Sequence, residues 1–192
     1  SFDLLIEEQL LKNEELNDFP IFNNSFVEFD LVVNRRLEIL EKVCNQFFNR
    51  ASKKYKTLYK EYCIKNKYWL DEFSKFWYLR KQNGWNISWK NWEITKVENI
   101  SNLQEGKILQ FLFDLQWKKL KKYCNNNGIQ IIGDMPIYVG FESSDVWENK
   151  NLFELNENNG IKFQSGCPPC GYNKNGQLWG NPVYNWKIHK KS

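Results

Sequence analysis

At 192 residues, with 42% hydrophobic and 26% charged side chains, the chain can bury a core in one or two domains, and its composition is that of a soluble globular protein rather than a disordered or fibrous one. The net charge of +4 arises from lysines interleaved with acids, such as Lys118, Lys119, Lys121 and Lys122 near Asp114, which reads as a solvated helix face. No basic stripe or RNA-binding signature accompanies it, so nucleic acid is not an expected partner. No apolar run approaches the ~20 residues of a membrane span, and five widely spaced cysteines with no visible signal peptide point to a reducing compartment.

In chain order, the first part is predicted helical. Phe2–Leu11 carries Leu4, Leu5, Leu10 and Leu11 and suits a short amphipathic segment, broken by Asp18-Phe19-Pro20. From Phe29 to about Arg50, Val33, Leu37, Leu40, Val43, Cys44 and Phe47 recur at helical spacing. Lys53–Lys65 continues with Tyr55, Leu58, Tyr59 and Tyr62 along one side. Trp69–Lys81 places Leu70, Phe73, Phe76, Trp77 and Arg80 on another, ending at an Asn83-Gly84 stop. Asn86–Lys96 reads as a polar connector. Ile108 to about Asn125 is the most regular helix, with Leu109, Leu112, Phe113, Trp117, Leu120 and Cys124 predicted as its apolar stripe.

After the Asn125–Gly128 stop, Ile129–Val139 reads as a near-continuous apolar strand, completing an αβ unit of a parallel sheet. Ser143-Ser144-Asp145 reads as a helix N-terminus capped by Ser144 or Asp145, and the remainder to Trp186 reads as loop. A (β/α)₈ barrel needs about 250 residues. The helical excess early in the chain and the αβ unit late in it therefore give the expected fold: α/β, a partial (β/α)₈ TIM barrel with an inserted, mainly helical subdomain. The expected division is residues 1–105 for the subdomain and 106–192 for the barrel part. The start at Ser1 rather than Met suits a piece of a longer protein.

Chemistry-bearing residues collect in the second half. Asp134 falls near the end of the predicted strand, where parallel α/β folds place ligand chemistry; the same residue also suits a structural Asp that holds a neighbouring backbone N–H. Gln177, Trp179 and Asn181 combine two amides with a large flat ring, the means by which sugars are held, or else form a packed tryptophan in an irregular loop. Asp134, Glu142 and Asp145 do not form an evident acid/base pair for glycoside chemistry. Cys167-Pro168-Pro169-Cys170 matches C-x-x-C, but a thioredoxin-like site needs it at a helix N-terminus, and two prolines oppose that. A zinc site would need more ligands: there is no second C-x-x-C, and His189 is the single histidine. No G-x-S-x-G elbow or phosphate-binding glycine loop occurs.

The motifs GDMPIYV (Gly133–Val139), SSDVW (Ser143–Trp147), NLFEL (Asn151–Leu155), GCPP (Gly166–Pro169) and GQLWGNPVYNW (Gly176–Trp186) resemble those of the amylomaltase or disproportionating-enzyme family, the 4-alpha-glucanotransferases. YWLDEFSKFWYLR (Tyr68–Arg80), the Phe111–Gly128 helix and SFDLLIEEQLL at the start fit it too, so the resemblance covers essentially the whole chain.

The resemblance implies transfer of alpha-1,4-glucan segments between chains with retention, through a carboxylate nucleophile and a second carboxyl acting as acid then base. It places both, and a third Asp, beyond Ser192, so that no catalytic residue is expected here and the chain alone is expected to be inactive. It assigns substrate contacts to Asp134, Gln177, Trp179 and, by extension of the motif, Asn181. It makes Gly166–Gly176 a lid, with Gly166, Pro168, Pro169, Cys170 and Gly176 as its marked positions. The lid departs from the family pattern: Cys170 stands where an acid is usual, and Gly171-Tyr172-Asn173 replaces an aromatic-Phe-Ser run. Gly140 and Glu142 stand where Ala and Asp are common.

The expected partner is a maltooligosaccharide or longer alpha-1,4-glucan, with no cofactor, metal or membrane, in the cytoplasm or a plastid. A non-catalytic glucan-binding module is the alternative from another class, and a C-x-x-C redox protein a third.

Overall fold

The computed structural model describes residues 1–93 and 103–191. They form two compact units, residues 1–74 with 103–131 and residues 75–93 with 132–191. Residues 94–96 of the predicted connector lie outside the described residues.

The first unit is helical: α1 (Phe2–Glu7), α2 (Phe29–Arg50), α3 (Lys53–Lys65), the first turns of α4 (Lys67–Asn83) and α5 (Gln104–Asn126). Ser52 caps α3 by accepting from Tyr55 N at 3.2 Å, leaving one fewer orphan donor in the first turn. At the other end of the unit, α5 stops by chain chemistry as predicted. Gly128 takes φ +72°, its N–H reaches Asn125 O (3.1 Å), and Ile129 N reaches Cys124 O (2.9 Å), the paired bonds of a Schellman turn.

The core gathers where α2 and α3 meet α5. Val43, Cys44 and Phe47 of α2, Tyr59 of α3, and Ile108, Phe111 and Leu112 of α5 are buried. The Phe47 ring lies 5.4 Å from Tyr59 and 6.0 Å from Phe111, centroid to centroid. The predicted stripe of α5 is corrected here. Leu112 is buried, but Phe113, Trp117 and Leu120 are 65%, 42% and 50% exposed. The reason is geometric: α2 and α3 pack on the side bearing Ile108, Phe111 and Leu112, and a second apolar row three to four residues apart cannot face the same neighbours. Val33 is likewise exposed, and the buried side of α2 begins at Ile39.

The second unit uses little regular structure: the last turns of α4, α6 (Ser144–Glu148), β1 (Gln164–Cys167), β2 (Gln177–Pro182) and α7 (Trp186–His189). Its core is Phe76, Leu79, Trp89, Trp92, Val146 and Phe153. The cap of α6 is Ser143, whose Oγ accepts from Val146 N at 3.4 Å, one residue earlier than predicted.

Two further expectations are corrected. Residues 129–139 form no strand; Ile129, Ile132, Met135 and Ile137 are 56–91% exposed. A strand exists only where neighbouring backbone accepts and donates along its edges, and among the described residues the one sheet is the antiparallel pair β1–β2. That pair lies in the stretch read as loop. Its sequences, QSGC and QLWGNP, carry almost none of the β-branched alternation that marks a strand.

Candidate functional site

The second unit holds every residue singled out for binding. Antiparallel β1 and β2 pair Gly166 with Leu178 and Cys167 with Gln177, with an irregularity between Gln164 and Gly166. Two glycines allow the pairing to close. A Cβ on Gly166 would lie 2.2 Å from Gln177 O, and one on Gly176, at φ +68°, 2.6 Å from Cys167 O. The segment expected to act as a lid is therefore the tip of this hairpin. Cys170 N donates to Asn173 O at 2.9 Å, Asn173 N returns to Cys170 O at 3.2 Å, and Asn173 Oδ1 accepts from Asn175 N at 3.0 Å. Pro168 and Pro169 stiffen the entry to the tip. Cys167 and Cys170 are free thiols at the end of a strand, not at a helix N-terminus, and among the described residues no cluster of His, Cys, Asp or Glu could hold a metal ion.

On β2, Trp179 is 45% exposed and its Nε1 donates to Gln177 Oε1 at 2.9 Å. Gln177 therefore holds one edge of the indole. Tyr138 lies 6.3 Å from Trp179 and itself stacks on Tyr184 at 5.6 Å and 15°, so that Trp179 has one aromatic neighbour backed by a second. Asn181 Nδ2 donates to Val139 O at 2.9 Å, and Tyr184 Oη to Ile137 O at 3.1 Å. Two side chains on and after β2 thus satisfy alternate carbonyls of the 137–139 segment, where a neighbouring strand would otherwise do so.

Asp134, earlier on that segment, is exposed, and its Oδ1 accepts from Met135 N at 2.8 Å. No described contact joins it to Gln177, Trp179 or Asn181. Glu142 has a local partner: its Oε2 accepts from Trp89 N at 3.1 Å, while Arg80 Nη1 donates to Glu142 O at 3.1 Å and Trp89 Nε1 to Phe141 O at 2.7 Å. That network fixes residues 141–143 ahead of α6. Nothing in the sequence singles out Tyr138 and Tyr184, although each sits inside a family-like motif, PIYV or NPVYNW.

A half-exposed indole flanked by amides and a tyrosine can present an apolar platform to the C–H face of a sugar ring while hydrogen-bonding groups meet hydroxyls at its rim. The 4-alpha-glucanotransferase family model matches residues 2–192. A 4-alpha-glucanotransferase of Aquifex aeolicus is 33% identical over 197 residues, covering 97% of this chain and 39% of its own. The chloroplastic/amyloplastic 4-alpha-glucanotransferase of Solanum tuberosum is 44% identical over 117 residues, covering 55% of this chain and 20% of its own. The solved structure of an amylomaltase from Streptococcus agalactiae in complex with acarbose superposes with a TM-score of 0.86 at 28% identity, covering all of this chain and 41% of that one. The chain spans about two fifths of the length of the curated relatives it matches along most of its own length.

Proposed function

Because the chain belongs to the 4-alpha-glucanotransferase family, we propose that it acts within an enzyme that moves alpha-1,4-glucan segments between maltooligosaccharides or starch and glycogen chains by retaining double displacement. In this reading the 192 residues contribute a cleft wall and a lid. Trp179 is the platform under a glucose ring, Gln177 orients it, and Asp134 and Asn181 line the wall. The Gly166–Gly176 tip closes over the bound chain and excludes water, which favours a sugar over water as acceptor. The nucleophile and the acid/base are assigned to residues outside these 192. Residues 1–105 are proposed as the inserted helical subdomain and 106–192 as part of a (β/α)₈ barrel.

The observation that carries the reading is the half-exposed Trp179 with its Nε1 held by Gln177. The test is incubation of the full-length protein with maltotriose, followed by chromatography. Transfer yields glucose and a ladder of longer oligomers without new reducing ends. Trp179→Ala is expected to raise the acceptor KM about tenfold or more. Hydrolysis alone, or an unchanged KM in the variant, would sink the proposal.

The exposed ring also gives the alternative, a glucan-binding module without catalysis, a concrete outcome. Full-length protein that binds maltooligosaccharide but turns none over would favour it. The 192-residue chain alone is expected to show no turnover. Among the described residues no helix is long and apolar enough to cross a membrane. The proposed compartment is the cytoplasm, with a plastid as the second, matching the chloroplastic/amyloplastic relatives.

A further inference from the structure

In the first unit, α1, α3 and α5 line a half-open cavity of about 460 Å³ that the glucan reading does not use. Its size falls within the ~300–1,000 Å³ of small-molecule sites. The floor is core leucine: Leu5, Leu10 and Leu112 are 3%, 1% and 5% exposed. Leu4, Leu58 and Leu115 add to the apolar wall.

The mouth is cationic, with Lys54, Lys119 and Lys122 set against the single acid Glu8. Lys119 is shared between two acids: its Nζ donates to Glu7 Oε2 at 3.1 Å and lies 4.0 Å from Glu8 Oε1, while the Tyr55 hydroxyl, which burial and the facing Glu8 carboxylate push up to about 12, stays neutral beside Glu8. Lys54 and Lys122 have no ion-pair partner among the described residues.

The depth of the cavity suits an apolar chain better than a sugar: six leucines line it, and of the neutral polar groups at its wall the Tyr55 hydroxyl faces Glu8 and the Gln116 amide is taken by Ser1. The cationic mouth disfavours a cationic head. We propose that the cavity binds a free long-chain carboxylate, its acyl tail among the leucines and its carboxylate at Lys54 and Lys122. The lysine stems extend the apolar wall outward while their ammonium groups meet the head.

Titration of dodecanoate into the full-length protein, at low salt and below its micelle concentration, tests this by calorimetry. One saturable site per chain is expected. Affinity should fall by roughly fourfold for each methylene removed on going to decanoate and octanoate, the ratio set by burial of a CH₂. Dodecylamine should bind about tenfold or more weaker than dodecanoate, because the mouth repels it.

The double variant Lys54→Glu and Lys122→Glu changes two exposed side chains and leaves the leucine floor intact. It should weaken dodecanoate by about tenfold or more and improve dodecylamine, with glucan transfer unchanged. Leu58→Glu should abolish binding of both. The inference fails if dodecanoate does not saturate a site, if the two probes bind alike, or if the folded lysine variant keeps its affinity. Because transfer activity is read separately, failure here is distinct from failure of the glucanotransferase reading.

Discussion

The two units are held by different means. In the first, helices satisfy their own backbone groups, so that stability rests on filling volume: Phe47, Tyr59 and Phe111 share one aromatic core, and the helix ends are closed by Ser52 and Gly128. In the second, short elements leave backbone groups that side chains must meet. Asn181, Tyr184, Arg80 and Trp89 donate to the carbonyls of Val139, Ile137, Glu142 and Phe141, and a ring nitrogen of His189 lies 3.1 Å from Leu152 O. The first arrangement tolerates changes that keep volume. The second ties each loop to a named donor, which is how loops are held firmly enough to carry a binding surface.

The sharpest test of that contrast is truncation in the helical core. Phe47 is fully buried against three aromatic rings, so Phe47→Ala should destabilise the first unit by about 3–5 kcal/mol. Chemical denaturation followed by hydrogen exchange would read it. Protection should fall along α2, α3 and α5. Equal loss in the β1–β2 hairpin would break the contrast by showing one cooperative body.

Gly166→Ala is the counterpart in the second unit. The new Cβ would meet Gln177 O at 2.2 Å, a backbone atom that cannot step aside without opening the ladder. The expected cost is about 1–3 kcal/mol. It should be confined to the hairpin and accompanied by weakened glucan binding at Trp179. A fully active variant would show that the tip does not need its close strand approach.

The same contrast explains what could be read from the residues. Periodicity located α2 and α3 to the residue, because one face of each is buried and the spacing records it. It misplaced the face of α5, since that helix carries two apolar rows and periodicity does not say which neighbours lie where. It missed β1 and β2, whose pairing depends on glycines and a bulge rather than alternation, and it read residues 129–139 as a strand because an apolar run does not report whether a partner strand is present. The site showed a different balance. Gln177, Trp179 and Asn181 stand out in the sequence as a group of two amides and a large ring, and β2 carries all three. The bond from Trp179 to Gln177 and the stack of Tyr138 on Tyr184 join residues whose meeting only the folded hairpin reveals.

A smaller perturbation sharpens the account of the second unit. Tyr184→Phe keeps the ring stacked on Tyr138 and removes only the hydroxyl that donates to Ile137 O. Loss of one such bond should cost about 1 kcal/mol. If loop residues are held individually by their donors, the acceptor KM should rise while the denaturation midpoint moves little. A shift in the midpoint alone would assign Tyr184 to packing rather than to placing the 137–139 segment.

The smallest effect is expected in the first unit, and its pH dependence identifies it. Arg50 Nη1 and Nη2 donate to Glu15 Oε2 and Oε1 at 2.6 and 3.0 Å, a bidentate pair with both side chains about one quarter exposed. The hydrogen bonds from Arg50 hold the Glu15 carboxyl below its ordinary 4.5, overcoming the opposite push of burial. Because the folded state favours the ionised form, the contribution is complete above the ordinary value and vanishes as pH falls through the lowered one. At this exposure it amounts to no more than about 1 kcal/mol. Glu15→Gln should therefore lower the denaturation midpoint slightly at neutral pH, and the gap from the unaltered protein should close as the solution is acidified below 4.5. A gap that stayed constant with pH would mean that Glu15 acts by placing the guanidinium, whose Nη1 also donates to Leu10 O at 3.3 Å, and not through its charge.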